Sequence, residues 1–233
     1  MCNSSVWSGK PGTQDGMKIF ISGAGIQALA ILQQLRYRYK DLDISISDFS
    51  EYRLGLAKKF GADHIINLNE VKDPFQYLAD IWGTTKIPYW VGDRDSGNAD
   101  IVYECSGSTA GYELAFDVVK PKGKICCIGI TKGNISIHPN YFLLKEVVPL
   151  GGLTGNPMLS VADVRAGVLS PIDYISRVFP LEELDKAFQV AMNPKVSMKV
   201  VVKVDPTAPD YPYNAVAYEQ FKKRRRKQIW EKE

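Results

Sequence analysis

The stretch "MKIFISGAGIQALAILQQLRYRY", residues 17 to 39, constrains the fold of this chain more than any other. A short apolar run, Met17 to Ser22, gives way to Gly23-Ala24-Gly25, after which Ile26, Leu29, Ala30, Leu32 and Leu35 recur with helical spacing. Strand, glycine turn and helix in that order form a phosphate cradle. Glycines keep side chains clear of the backbone N–H groups at the helix start, where the helix dipole favours an anion. Gly23 and Gly25 take the first two places, and Ala28 the third, where only close packing of helix on strand is required.

A glycine turn alone is also found in methyltransferases and plain α/β domains, so the next acidic residue matters. Asp48 closes the second strand, "DISISD", 23 residues after Gly25, close to the offset of about 20 at which a carboxylate meets an adenosine ribose. Two readings of Asp48 stand: acceptor for both ribose hydroxyls, or cap of the turn before the helix at 50 to 60. The first favours NAD over NADP, because a carboxylate repels a 2′-phosphate. Arg53, one turn on, is a guanidinium that could pair such a phosphate. NAD remains the favoured cofactor.

The alternation continues downstream. Strands are expected at 64 to 68, 99 to 105, 123 to 129 and 147 to 152, with helices at 50 to 60, 73 to 82 and 108 to 119. Near-continuous β-branched strands between helices imply a parallel sheet buried on both faces. The fold class is therefore α/β, doubly wound, with a helix at 181 to 191 and a strand at 198 to 204 as a C-terminal appendage. The stretch 83 to 98 reads as a polar surface loop. Domain organisation follows as an N-terminal extension (1–16), a dinucleotide-binding domain (17–152), the appendage segment (153–204) and a basic tail (205–233).

Composition excludes several classes. No apolar run nears the roughly 20 residues of a membrane span, and "MCNSSVWSGK" has no signal-peptide core. The expectation is a cytoplasmic protein with no membrane partner. Cys2, Cys105, Cys126 and Cys127 make no Cys-x-x-Cys pair; adjacent Cys126 and Cys127 in a strand should face opposite ways. His64 and His138 are the two histidines, and no convergent ligand set is spaced for a tetrahedral site; no zinc is expected.

Four blocks together resemble the medium-chain dehydrogenases, the zinc alcohol, sorbitol and threonine dehydrogenase group: "SGAGIQALAILQQLR", "ISDFSEYRLGLAKKFGADHIIN", "ADIVYECSGSTAGYELAFDVVKPKGKICCIGI" and "VFPLEELDKAFQVAMNPKVSMKVVVKV". The resemblance runs, with gaps, from about residue 17 to 204. It implies a Rossmann fold of six parallel strands in the order 3-2-1-4-5-6 with NAD at the carboxyl ends of the strands. Carried over by position, Gly23, Gly25, Ile26 and Gln27 would face the pyrophosphate, Asp48 the adenosine ribose, and Cys105, Ser106 and Gly107 the crevice. Ile128, Gly129 and Ile130 would approach the nicotinamide end. For Cys105, a small packing residue is an equal reading. No catalytic residue is assigned, because the family's barrel domain, with its metal ligands and proton relay, finds no counterpart in the residues ahead of Met17.

The resemblance also implies association: a homodimer through the edge strand 147 to 152, or a separate subunit carrying the catalytic domain. The strand 198 to 204 would lose its usual neighbours and need cover. Residues from Asn214 onward carry +4 of the net +3, leaving the rest at −1. That tail, with "KKRRRK", reads first as a solvated helix, then as a docking segment, and least as a nucleic-acid contact. The function expected is an NAD-binding oxidoreductase-type domain needing a partner for catalysis. The alternative is a non-catalytic nucleotide-binding scaffold or regulatory subunit.

Overall fold

The computed structural model describes residues 4–87, 94–131, 133–152 and 155–209, and the chain divides into two compact units, Met1–Ser170 and Pro171–Glu233. In chain order the first unit holds α1 (Ser4–Trp7), β1 (Met17–Ser22), α2 (Ile26–Arg38), β2 (Leu42–Asp48), α3 (Glu51–Lys59), β3 (His64–Asn67) and α4 (Pro74–Trp82). It continues with β4 (Thr85–Ile87), β5 (Arg94–Ser96), β6 (Ala99–Glu104), α5 (Thr109–Val118), β7 (Val119–Cys127), α6 (Asn140–Lys145), β8 (Val148–Leu150) and α7 (Pro157–Arg165). The second unit holds β9 (Ile175–Pro180), α8 (Leu184–Ala191) and β10 (Lys199–Lys203).

The main sheet has six strands in the order β3-β2-β1-β6-β7-β8, all paired in parallel. With the small β4–β5 pair set aside, this is the 3-2-1-4-5-6 order of the doubly wound fold. Strand pleating sorts the core onto two faces. Phe20, Val102 and Ile125 lie in one row across β1, β6 and β7 and join Leu78 and Trp82 of α4 and Ala115 and Phe116 of α5 in one buried cluster. The alternate residues Ile19, Ile21, Tyr103 and Cys126 face the other side, and all are fully buried. Each such apolar side chain contributes about 1.5–3 kcal/mol by leaving water.

Helix ends follow their local chemistry. Ser50 Oγ accepts from the Arg53 N–H at the start of α3, and Asp73 accepts from Gln76 N–H at α4, which begins with Pro74. Residues ahead of β1 are packed rather than appended. Trp7 is 2% exposed; Tyr103 Oη donates to its carbonyl (3.2 Å) and Ser8 Oγ to Gln34 of α2 (2.7 Å). Lys124 Nζ donates to the Pro11 carbonyl (2.6 Å), and Lys10 Nζ to that of Gly151 (2.7 Å).

Several elements differ from the sequence expectation, among them the helices α1, α6 and α7, which it did not include. Thr85–Ile87 and Arg94–Ser96, β4 and β5, pair antiparallel inside the stretch read as a loop. The fifth core strand starts at Val119, earlier than 123, by passing through an irregularity in its pairing with β6. The strand at 198 to 204 does have a neighbour: β10 pairs in parallel with β9, a strand the sequence did not suggest, and α8 packs on both. Within that unit Leu184, Phe188 and Met192, four residues apart along α8 and its end, remain 40%, 61% and 80% exposed. Cys2 and the basic tail from 210 onward lie outside the described residues. Among the described residues no helix is long and apolar enough to cross a membrane.

Candidate functional site

In an open parallel sheet the crevice forms at the carboxyl ends of the strands where strand order reverses, here between β1 and β6. Three strand ends are tied together: the Gly23 N–H, after β1, donates to the Ser47 carbonyl of β2 (2.8 Å), and the Cys105 N–H, after β6, to the Ser22 carbonyl of β1 (2.9 Å). A crevice of about 430 Å³ opens there, with Gly23, Gly25, Asp48 and Arg53 on one side and Cys105 and Ser106 on the other. Phe49, Leu68, Ala110 and Leu114 supply apolar wall.

Gly23 has φ +86°, and a Cβ there would sit 3.0 Å from the Ser106 backbone, so the turn needs glycine for its own shape. Gly25 differs. Its φ of −73° and ψ of 177° suit any residue, and a Cβ there would have no protein atom within 4 Å. The space beyond Gly25 is crevice. Gly25 stands at the N-cap of α2 with no side-chain cap, and α2 has no acidic residue in its first turn. The amides of Ile26 and Gln27 therefore belong to the first-turn donors that no intrahelical carbonyl reaches. The 13-residue helix aims its positive end at the same place.

Asp48 spans two turns. Its Oδ2 accepts from Ala24 N–H in the glycine turn (2.7 Å), and its Oδ1 from Ser50 N–H (2.8 Å). The side chain therefore caps the turn before α3 and also ties that turn to the glycine bend. A carboxylate has about four acceptor positions, so each oxygen retains room for another donor. Beside it Ser47, 1% exposed, has a hydroxyl with no hydrogen-bond partner, and Gln27 Oε1 is likewise buried without one. Ser47 lines the crevice, whereas Ile26 and Gln27 at the helix start are not among its lining residues.

Across the crevice, burial pushes the Cys105 thiol well up, with the Glu104 charge adding to the effect, although the residue is half-buried and lines the crevice. Gly107 follows with φ +67° and lies against the Ile130 backbone. Ile128 and Gly129 donate their amides to the Glu104 carbonyl (2.9 and 2.8 Å), and Ile130 is 83% exposed. These last four residues flank the crevice rather than line it.

A second, smaller cleft of about 50 Å³ touches Arg94, Asp117, His138, Tyr141 and Lys145. It is too small for a dinucleotide. Lys145 is 1% exposed and donates to the Phe116 (2.6 Å) and Asp117 (3.1 Å) carbonyls, closing the end of α5; burial lowers its pKa to about 8. Among the described residues no group of three or more His, Cys, Asp or Glu is placed to hold a metal ion.

Sequence reasoning missed Ser47, Phe49 and Leu68, which flank the acidic strand end, and Glu104. Ser47 and Phe49 adjoin Asp48, so the motif's neighbours were the available signal. Leu68 and Glu104 arrive only through the sheet.

Comparison with known proteins places this geometry. A family described as zinc-binding dehydrogenase matches residues 37–169, more than half of the chain. The chain belongs to that family. Over 194 residues it is 27% identical to an L-threonine 3-dehydrogenase of Pseudoalteromonas atlantica, covering 80% of this chain and 52% of that one. The chain thus spans about half the length of the curated relatives it matches. A solved Escherichia coli protein described as a short chain alcohol dehydrogenase complexed with NADH superposes with a TM-score of 0.71 at 18% identity, over 88% of this chain and 58% of that one. A putative zinc-binding dehydrogenase from Sinorhizobium meliloti bound to NADP gives 0.68 at 23% identity, over 87% and 58%. At those identities the likeness concerns the fold. The chain is an alcohol-dehydrogenase-like oxidoreductase relative matching their cofactor-binding half.

Proposed function

We propose that residues 17–152 bind NAD(H) in the crevice between β1 and β6 and present it for hydride transfer to or from an alcohol or polyol carbon. The observation that carries this is Gly25: its backbone would tolerate a side chain, yet the position is bare and faces open crevice at an uncapped helix start. There the diphosphate would take the amides of the first turn of α2, with Gln27 beside it. Asp48 would accept the adenosine ribose hydroxyls while keeping its hold on Ala24, and Phe49, Leu68 and Leu114 would flank the adenine. Cys105, Ser106 and Gly107, with Ile128, Gly129 and Ile130, would bound the nicotinamide half. The bound cofactor supplies the hydride chemistry; the chain binds, orients and partly dries it.

NAD is favoured over NADP because the Asp48 carboxylate stands where a 2′-phosphate would come, while Arg53 in the same wall moderates the preference. Titration calorimetry with NADH and NADPH tests both statements. Saturable one-to-one binding of NADH, with NADPH at least about tenfold weaker, is expected; no heat with either would overturn the proposal.

Catalysis is proposed to need a partner that supplies the substrate wall, since the described residues hold no metal-ligand group. The edge strand β8, with Val148 43% exposed, suits pairing with a second copy, and the apolar stripe of α8 suits a separate catalytic-domain chain. A second reading, a nucleotide-responsive scaffold, would use the exposed edge strand β8 and the basic tail for association. NADH binding with no alcohol or polyol turnover in any complex would favour it. The setting proposed is cytoplasmic.

A further inference from the structure

The side chain that organises the far wall of the crevice is Glu104, at the end of β6. It is fully buried. Its Oε1 accepts from the Ser106 N–H (3.0 Å) and from Ser106 Oγ, and its Oε2 from the Gly107 N–H (3.1 Å). Its backbone carbonyl accepts from Ile128 and Gly129. One residue therefore grips both the turn after β6 and the segment after β7.

Three glycines show how tightly that grip is drawn. A Cβ on Gly129 would lie 2.5 Å from Glu104 Oε2 and 2.2 Å from the Gly107 nitrogen. One on Gly107 would lie 2.5 Å from the Ile130 carbonyl oxygen, and one on Gly111 2.8 Å from Glu104 Oε1. The two segments meet backbone to backbone across a carboxylate with no room for any side chain. Ser106 Oγ passes the contact on to Ser108 (2.9 Å), the N-cap of α5, and Tyr112 Oη donates to the Gly129 carbonyl (2.8 Å).

Such a carboxylate is costly to bury, and burial raises its pKa despite the hydrogen bonds from Ser106 and Gly107. A glutamine would fill the same volume without that cost. What glutamine lacks is a second acceptor: its NH2 group would face the Gly107 N–H, donor against donor. Resting on the reading that the crevice holds a dinucleotide with its adenosine at Asp48, we propose that Glu104 is a positioning residue for the nicotinamide half of that ligand. It draws Ser106–Gly107 and Gly129–Ile130 together so that the far half of the dinucleotide finds a wall. The adenosine diphosphate half rests mainly on the glycine turn and Asp48, on β1 and β2, which make no hydrogen bond to the Glu104 carboxylate.

The test compares ADP, which occupies only the near half, with NADH, in calorimetric titrations of the full chain and its Glu104→Gln variant. NADH affinity is expected to fall at least about tenfold while ADP affinity changes less than about threefold. Gly129→Ala, which forces the same two segments apart while leaving the carboxylate in the chain, should reproduce this split. If Glu104→Gln does not fold by circular dichroism, Ser106→Ala is read instead, with a loss of about threefold or more for NADH alone. Equal losses for ADP and NADH would mean that Glu104 only supports the fold, and unchanged NADH binding would mean it does not position the ligand; either overturns the inference. A wild-type chain that binds neither probe overturns the proposed function itself, a different outcome.

Discussion

Gly25→Val separates folding from binding in a way few substitutions here could. Its φ of −73° is ordinary for valine, and no protein atom lies within 4 Å of the added Cβ. The fold should be little affected. Valine is a poorer N-cap than glycine, while replacing glycine restricts the unfolded chain by about 0.4–1 kcal/mol in the opposite sense. The net change in stability should be within about 1 kcal/mol, or a shift of about 2–4 °C in a chain of this size. Binding should respond very differently. The isopropyl group would project to where a diphosphate meets the α2 amides, and each hydrogen bond to a charged group is worth about 1.5–3 kcal/mol. Losing one or two of them, about 1.5 to 6 kcal/mol, weakens NADH by about 10-fold to about 20,000-fold. The assay pairs thermal melting by circular dichroism with NADH titration of the same preparation. Gly23→Ala is the contrasting control: its φ of +86° and 3.0 Å approach to Ser106 should cost about 1–3 kcal/mol of stability. Were Gly25→Val to bind NADH like the wild type, the crevice beyond that glycine would not be where the diphosphate sits.

Three further outcomes follow from named groups. Asp48→Ser removes the charge facing a 2′-phosphate while keeping a small acceptor, so the NADH preference over NADPH should shrink to within about threefold; an unchanged ratio in paired titrations would show that Asp48 does not set it. Lys145 has a folded pKa of about 8 against an ordinary 10.5, so between those values the unfolded chain binds more protons and stability rises with pH. Urea melts should therefore show the wild type gaining on Lys145→Met from pH 8 to 10.5, by about 3 kcal/mol at most, and a constant difference would contradict the burial argument. Trp7→Ala should destabilise the first unit by about 3–5 kcal/mol, because the indole is 2% exposed; a loss under 1 kcal/mol in a denaturant melt would mean the N-terminal arm is merely draped on the sheet.

The six-stranded sheet was legible because its strands are short segments rich in β-branched and apolar residues, such as "KIFI", "ISI", "DIVY" and "KICC", that alternate with helical patterns. The missed elements lack that pattern for physical reasons. β4 and β5 are three residues each and are cross-linked by polar groups, Lys86 with Asp95 at 2.9 Å, leaving no apolar periodicity to read. β9, "ISRVFP", is half exposed along its length and shows no clean alternation. α7 carries Met158, Leu159 and Val161 on its surface, so its apolar residues follow no single face. At the site, Gly23, Gly25 and Asp48 were legible because their spacing is fixed by one β-α-β unit. Glu104 was not, since a glutamate closing an apolar strand reads as the point where the chain regains solvent. Only the return of the Ser106–Gly107 turn over its carboxylate, brought about by packing against Gly129, reverses that reading.

The claim that most of this depends on is that amides at the start of α2 and the carboxylate of Asp48 together hold a dinucleotide. A crystal structure of the chain grown with saturating NADH tests it most directly. The expected density places the diphosphate over Gly25 and the amides of Ile26 and Gln27, with the adenosine ribose on Asp48. NADH bound elsewhere on the chain, or a crevice holding only solvent at saturation, would contradict it.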